Sequence, residues 1–223
     1  MNTLLFQRFR FQKPIELQHL EKGDEIISLP DKTIIRMDAE AEEKDLAPIL
    51  AKAKLAEQDQ LLGTFFFQKN LTEEESKLAH KFFNLCQPLQ DAWTYKVLRQ
   101  YAPDIYEAEI EELIGYWKAL QMMPPEGGIA HITDNNDPET RNQVLSMFAI
   151  LNENPANTVE MLLITDKENS ADWDGYISAL KEFVHAEPDA NLYLRLATAS
   201  NAPYTVQIIT EPDGFRHFEI KKR

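Results

Sequence analysis

Cysteine and glycine are scarce in this chain, and each scarcity excludes a class of site. Of the 223 residues, one is cysteine and seven are glycine. The single cysteine, Cys86, can neither close an internal disulfide nor build a thiolate metal cage, which favours a reducing compartment. So few glycines make a glycine-cradled phosphate site improbable, and neither the Walker nor the dinucleotide-binding pattern occurs. We therefore expect no cofactor.

Long hydrophobic runs are missing as well. No run of about 18 apolar residues occurs, so the sequence predicts no membrane-spanning helix. Residues 1–12 carry Arg8 and Arg10 within an apolar pattern and lack a signal-peptide cleavage site. The expectation is a cytoplasmic protein that does not associate with membranes.

Basic residues are few relative to acidic ones. The chain has 23 Lys and Arg against 37 Asp and Glu, for a formal net charge of −14. Residues 38–190 carry −17, whereas residues 1–37 carry +1 and residues 191–223 carry +2. A negative surface repels nucleic-acid phosphates and anionic lipids. It attracts positive surfaces, so we expect a protein partner with a basic surface and no direct binding to nucleic acid.

The apolar residues recur at spacings typical of both strands and helices. Short alternating or apolar runs predict strands at 3–11, 25–29, 33–37, 159–165, 192–196, 204–210 and 215–220. Helical spacing predicts helices at 45–60, 73–101, 104–121, 138–154 and 171–186. Asp45, Thr72 and Ser170 are predicted N-caps, the second as part of a capping box with Glu75. Pro88 predicts a kink or a break in the helix at 73–101.

The run at 159–164 is uniformly apolar, which is typical of a strand buried on both faces. We expect it at the centre of the sheet, followed by a helix and three strands as a C-terminal βαβββ unit. The order of elements predicts an α+β fold, in which a mixed, mainly antiparallel sheet packs against a central group of amphipathic helices. A single domain over 1–223 is expected. Its possible parts are an N-terminal β/α part at 1–70, a helical part at 71–155 and the βαβββ part at 156–223.

Acidic residues crowd one side of the predicted helix at 104–121. They lie opposite its apolar stripe, and they are Glu107, Glu109, Glu111 and Glu112. Two interpretations are open for them. They can be a solvated face, favoured by the positive end of the helix dipole, or a recognition face for a basic partner. These four glutamates are the candidate partner-binding residues.

The loop at 123–137 contains the candidate catalytic residues, His131 and Asp134. With Asp137 they could bring an imidazole and two carboxylates together, as a base and its orienting partner or as metal ligands. Pro138 stands where a calcium loop needs its third ligand, and turns and helix capping already explain the acids. We therefore predict no metal site. Elsewhere the histidines form no i,i+4 pair, and no serine has the Gly-x-Ser-x-Gly context.

These observations favour a cytoplasmic acidic protein-binding module: an inhibitor, an adaptor or a toxin-neutralising immunity-type protein that docks on a basic partner. Two alternatives stay open. The first is an enzyme of unrecognised class with its site in the 123–137 loop. The second is an acidic mimic of nucleic acid that blocks a DNA- or RNA-binding enzyme. A deep pocket holding His131 with convergent carboxylates would favour the enzyme.

Overall fold

The computed structural model describes residues 3–21, 23–38, 42–64, 66–67, 71–122, 131–132, 138–157, 159, 163–164, 172–212 and 216–223. Its helices are α1 (Thr3–Phe9), α2 (Glu43–Glu57), α3 (Glu73–Tyr101), α4 (Pro103–Met122), α5 (Pro138–Glu153), α6 (Trp173–Phe183) and α7 (Ala190–Ala199). Its strands are β1 (Ile15–His19), β2 (Glu25–Ser28), β3 (Thr33–Met37), β4 (Phe66–Phe67), β5 (His131–Ile132), β6 (Leu163–Ile164), β7 (Tyr204–Thr210) and β8 (Arg216–Lys222).

The strands form three separate small sheets among the described residues. In the first, β3 lies between β1 and β2, parallel to β1 and antiparallel to β2. In the second, β8 lies between β4 and β7, parallel to β4 and antiparallel to β7 along the whole of both strands. The predicted α+β class is confirmed, and the strands predicted at 25–29, 33–37, 204–210 and 215–220 form two antiparallel pairs. The strands divide among three sheets instead of sharing one.

The run at 159–164 does not have the central place expected of it. Its described strand is β6, which pairs in parallel with β5 through His131↔Leu163 and Ile132↔Ile164. Within the described ranges β6 has no other strand neighbour. Residues 160–162 lie outside the described residues. Strand β8 is central to the C-terminal sheet instead, because its Phe218 and Ile220 are completely buried.

The predicted N-terminal strand at 3–11 is wrong, because this segment begins as helix α1. Leu5 and Phe9 lie one turn apart on the same face, and both are completely buried. The helix ends before Arg10, whose φ of 46° lies in the left-handed region. Phe11 then returns to stack on Phe9, with the ring centroids 6.1 Å apart. The alternation that predicted a strand arises because the chain turns back at a helix end.

The predicted strand at 192–196 is also wrong, because it lies within helix α7. The side chain of Asp189 caps this helix by accepting a hydrogen bond from the backbone N–H of Asn191, at 2.9 Å. Leu192 and Leu196 are buried one turn apart, whereas the leucine between them is only partly buried. The burial of every fourth residue is typical of a helix, whereas a strand would bury every second residue. The C-terminal unit is β6-α6-α7-β7-β8 rather than βαβββ.

Two predicted helix starts are displaced. Helix α2 follows Glu42 rather than Asp45, and Glu42 makes no side-chain capping hydrogen bond. Helix α6 follows Asp172, whose carboxylate accepts a hydrogen bond from the backbone N–H of Gly175 at 2.9 Å. Ser170, the predicted cap, lies outside the described residues. Neighbouring acids and serines compete as caps, so sequence alone places a helix start only to within a turn.

Helix α3 begins as predicted and continues where a break was expected. Thr72 and Glu75 form the capping box. Pro88 lies inside the helix and is buried, so the helix does not break there, and a kink at Pro88 stays a prediction. Proline removes the hydrogen bond to the carbonyl of Asn84. Its neighbours Cys86 and Leu89 are completely buried, and their packing outweighs that loss.

The core is organised around α3, which packs against α2, α4, α5, α7 and β8. Its Phe82 and Trp93 are completely buried. One cluster of buried hydrophobic residues extends from Leu5 to Ile220 and draws members from 1–70, 71–155 and 156–223. This cluster agrees with one domain, which stays a prediction. The thiol of Cys86 is completely buried, and burial raises its pKa well above the ordinary value.

Candidate functional site

Three helices surround a concave surface that carries both polar and apolar groups. Helix α4 folds back along α3 after Ala102, so the rings of Tyr95 and Tyr106 meet at 6.5 Å between centroids. Helix α5 packs against both α3 and α4, and it runs in the same direction as α3, since Asp91 contacts Ser146 and Arg99 contacts Glu153. Its Ser146 hydrogen-bonds to Asp91. The groove between the three helices has a volume of about 970 Å³.

The α3–α4–α5 groove combines an apolar floor with polar walls. Its lining residues are Asn84, Gln87 and Asp91 from α3, Leu113 and Tyr116 from α4, and Glu139, Asn142, Gln143, Ser146, Met147 and Ile150 from α5. Leu113 and Met147 are partly buried, and Ile150 is buried. Two lining residues are acidic, and in the part of the chain that the structure describes no lysine or arginine lines the groove. A ligand with an apolar side and positive charges would match this lining.

Tyr116 is an exposed apolar residue of the groove. It is 56% exposed, and it is one of two large hydrophobic residues described as exposed. Its hydroxyl donates a hydrogen bond to Glu112 at 3.2 Å. An aromatic ring with one polar edge can bury its area against a partner while keeping its hydroxyl bonded. Tyr116 thus connects the groove to the acidic residues of the same helix.

Asp91 lies deep in the groove wall. Its Oδ2 accepts a hydrogen bond from the Ser146 hydroxyl at 2.7 Å. Burial raises the pKa of Asp91 above its ordinary value, although the hydrogen bond from Ser146 and the charge of Lys52 oppose the shift. Its carboxylate therefore favours a positive neighbour, since a bound cation would stabilise the charged form.

The four candidate glutamates form the α4 acidic face. None of them is among the lining residues, and Glu112 adjoins the groove through its contact with Tyr116. Glu107, Glu111 and Glu112 are exposed, and Glu109 is partly buried. Glu109 accepts a hydrogen bond from the Tyr95 hydroxyl at 3.1 Å. Burial and the nearby Glu109 carboxylate raise the pKa of Tyr95, so this hydroxyl stays protonated. The structure thus separates the set: Glu109 helps to hold α4 on α3, and the other three are available to a partner.

The candidate catalytic residues are not brought into a site by the described part of the chain. His131 lies in β5, where its backbone pairs with Leu163. Asp134, like most of the 123–137 loop, lies outside the described residues. Among the residues described, no group of three His, Cys, Asp or Glu side chains could hold a metal ion. An enzyme site in this loop stays a prediction.

The groove walls on α3 and α5 are what the sequence interpretation missed. Asn84, Gln87 and Asp91 recur at helical spacing on α3, and Asn142 and Gln143 stand on α5. Amide side chains beside an apolar stripe are a signal that could have been found. The pairing of these helices could not, because Asp91 and Ser146 are 55 residues apart in the chain.

Comparison with protein families gives no matching family model, and comparison with curated proteins and with solved structures gives no match. None of the helices in the described ranges has the length and apolar character needed to cross a membrane.

Proposed function

We propose that this protein is an acidic protein-binding module whose α3–α4–α5 groove receives a basic amphipathic helix from its partner. The observation that carries the proposal is the contact between Glu112 and the exposed Tyr116. It connects the apolar groove to the α4 acidic face. Apolar anchors of the partner would enter the groove, and a lysine or arginine beside them would meet Glu112. Glu107 and Glu111 lie farther round α4 and would add attraction at longer range.

The size and charge of the groove support a helical occupant. An α-helix with side chains is about 10–12 Å across and uses anchors on one face. Leu113, Tyr116 and Met147 supply apolar area for such anchors. The exposed carboxylates of α4 would accelerate association and would reject an acidic competitor. They would also repel phosphate backbones, so nucleic acid is a disfavoured ligand.

This function suits an inhibitor, an adaptor or a toxin-neutralising immunity-type protein, each of which acts by occupying a surface of its partner. We place it in the cytoplasm, because its single cysteine can form no internal disulfide of the kind that oxidising compartments favour. No catalytic group is required for this role.

Binding of a model peptide tests the proposal. The probe is a synthetic amphipathic helix of about 15 residues built from leucine and lysine. Its affinity is measured by fluorescence anisotropy at about 50 mM and about 300 mM salt. The variant Glu107→Gln/Glu111→Gln/Glu112→Gln should bind about tenfold more weakly at low salt, and much of that difference should disappear at high salt.

Two control variants separate a localised site from general charge attraction. Glu21→Gln/Asp31→Asn removes acidic residues that are also exposed but lie beside the first sheet. It should leave the affinity within about twofold of the wild type. Tyr116→Ala leaves the charge unchanged and should weaken binding about tenfold, as loss of an aromatic anchor does.

If Glu21→Gln/Asp31→Asn lost as much affinity as the triple glutamate variant, the proposal of a localised site would be overturned. Normal binding by Tyr116→Ala together with weak binding by the triple variant would favour the acidic mimic of nucleic acid, which needs charge and no apolar floor.

A further inference from the structure

Strand β7 is an open edge of the C-terminal sheet. In the strand order β4-β8-β7, its neighbour among the described strands is β8 alone. All seven of its residues pair with β8 in one continuous register, from Tyr204↔Lys222 to Thr210↔Arg216, without a bulge. The strand is therefore straight enough to accept another strand on its other side.

Edge strands β1, β2 and β4 have features that oppose pairing with a further strand, and β7 lacks these features. Strand β1 contains Glu16, paired with Lys32, and strand β2 contains Glu25, paired with Arg36. Strand β4 has two described residues. The sequence of β7 contains neither a charged residue nor a proline, and it has β-branched residues at most positions. Natural proteins rarely leave such an edge without a partner.

The backbone groups that face the open edge can be identified. The backbone N–H of Arg223 donates to the carbonyl of Pro203, at 3.1 Å, so the polar groups of residue 203 point towards β8. Along a strand, successive residues direct their backbone N–H and C=O groups to opposite sides. Tyr204, Val206, Ile208 and Thr210 therefore direct their N–H and C=O groups outwards.

We propose that β7 pairs antiparallel with β7 of a second copy of this chain, about a two-fold axis at Gln207. This register places Val206 opposite Ile208 and Tyr204 opposite Thr210. In each of these pairs both residues present outward backbone groups, so about eight interstrand hydrogen bonds form. The Val206 and Ile208 side chains make cross-strand contacts of the kind that stabilise sheets.

The charges at the two ends of β7 are complementary in this register. Residue 211 of one copy lies opposite residue 203 of the other. Glu211 is exposed at one end of β7, and at the opposite end Arg223 is exposed beside Pro203. The two-fold axis brings each Glu211 next to the Arg223 of the other copy, twice per dimer. An uncharged strand with an acidic end and a basic end is thus complementary to itself.

Engineered cysteines test the register. At the axis, Gln207 faces its own copy in a pair without hydrogen bonds, where Cα atoms lie about 4.5 Å apart, within disulfide range. Gln207→Cys should form a covalent dimer under mild oxidation. Thr205→Cys is exposed on the same face, but its two copies would be about 13 Å apart and should stay uncrosslinked. Cys86 is completely buried and does not compete.

Sedimentation of the full chain tests the pairing itself. A single added strand is a small interface, so dissociation constants on the order of tens of micromolar are expected, with mass rising from 25.8 kDa towards twice that value. Glu211→Arg should weaken dimerisation about tenfold, and Glu211→Arg/Arg223→Glu should restore it. A monomer at all concentrations would overturn the proposal. Equal crosslinking of both cysteine variants, or no rescue by the double variant, would overturn the register.

Discussion

Lys54 and Glu57 form an ion pair that is almost completely removed from solvent. Their side chains are 5% and 2% exposed, and Lys54 Nζ lies 2.7 Å from Glu57 Oε2. Glu57 Oε1 accepts hydrogen bonds from the backbone N–H groups of Gln12 and Lys13, and Lys54 donates to the carbonyl of Arg10. The pair fastens the segment after α1 to α2, which gives it a structural role.

Glu57→Gln should lower the free energy of unfolding by about 3 kcal/mol, because it leaves the Lys54 ammonium buried without its counter-charge. Urea unfolding at pH 7 measures the difference. The control is Glu73→Gln, since Glu73 and Lys77 form an exposed pair with side chains 86% and 69% exposed. That control should change stability by less than about 0.5 kcal/mol. Similar losses in both variants would contradict the structural role.

The same variant has a predictable pH dependence. Burial alone would raise the pKa of Glu57, but the hydrogen bonds from Lys54 and from two backbone N–H groups outweigh it and hold the pKa below its ordinary value of 4.5. A lowered folded-state pKa stabilises the fold above the unfolded value, and this contribution is lost as pH falls through the folded one. The difference between wild type and Glu57→Gln should therefore shrink below pH 4.5.

The contribution of Asp91 to stability should depend on pH in the opposite direction from that of Glu57. Because burial raises its pKa above the ordinary 3.8, the folded protein binds a proton more readily than the unfolded chain. The charged form therefore lowers stability as pH rises through the raised pKa. Asp91→Asn should be more stable than the wild type at pH 7, and the gain should disappear near pH 3, by thermal unfolding.

Asp104→Asn is the control for Asp91→Asn. A hydrogen bond from Arg8 lowers the pKa of Asp104, so removing this charge should destabilise the protein at pH 7 rather than stabilise it. If Asp91→Asn were less stable than the wild type at neutral pH, burial would not be destabilising the charged form of Asp91, and this account would be contradicted.

At the scale of elements, the capping box of α3 is the clearest local determinant. The Thr72 hydroxyl accepts a hydrogen bond from the Glu75 backbone N–H, and the Glu75 carboxylate accepts one from the Thr72 backbone N–H. Thr72→Ala should lower the free energy of unfolding by about 1 kcal/mol. Thr72→Ser keeps the hydroxyl and should remain within about 0.3 kcal/mol of the wild type. Equal losses would exclude capping as the cause.

Elements defined by local chemistry were predictable, and elements decided by distant contacts were not. The capping box and the hairpin of β2 and β3 depend on residues a few positions apart. By contrast, the leucines of α7 suit a strand or a helix, and tertiary contacts decide between them. The Tyr193 ring lies 5.2 Å from that of Trp93, and its hydroxyl donates to the carbonyl of Gln60. A helix presents Tyr193 beside buried Leu192 and Leu196.

At the scale of the whole molecule, the sequence shows the acidic charge of α4 but does not show the groove. The α4 acidic face follows from glutamates on the polar side of one amphipathic helix. The groove requires α3, α4 and α5 to meet, and nothing local encodes the contact of Asp91 with Ser146 across 55 residues. The acidic residues can thus be read from the sequence, whereas the apolar floor of the groove forms only when the three helices pack together.

Amide hydrogen exchange of the wild-type protein, with and without the leucine–lysine peptide, tests the central claim most directly. We predict slower exchange upon binding in α4 around Leu113 and Tyr116 and in α5 around Met147 and Ile150, which line the same groove. The acidic segments at 42–45 and 73–75 should exchange unchanged. Protection spread over all acidic surfaces, or protection that leaves α4 and α5 unaffected, would contradict a docking site in the α3–α4–α5 groove.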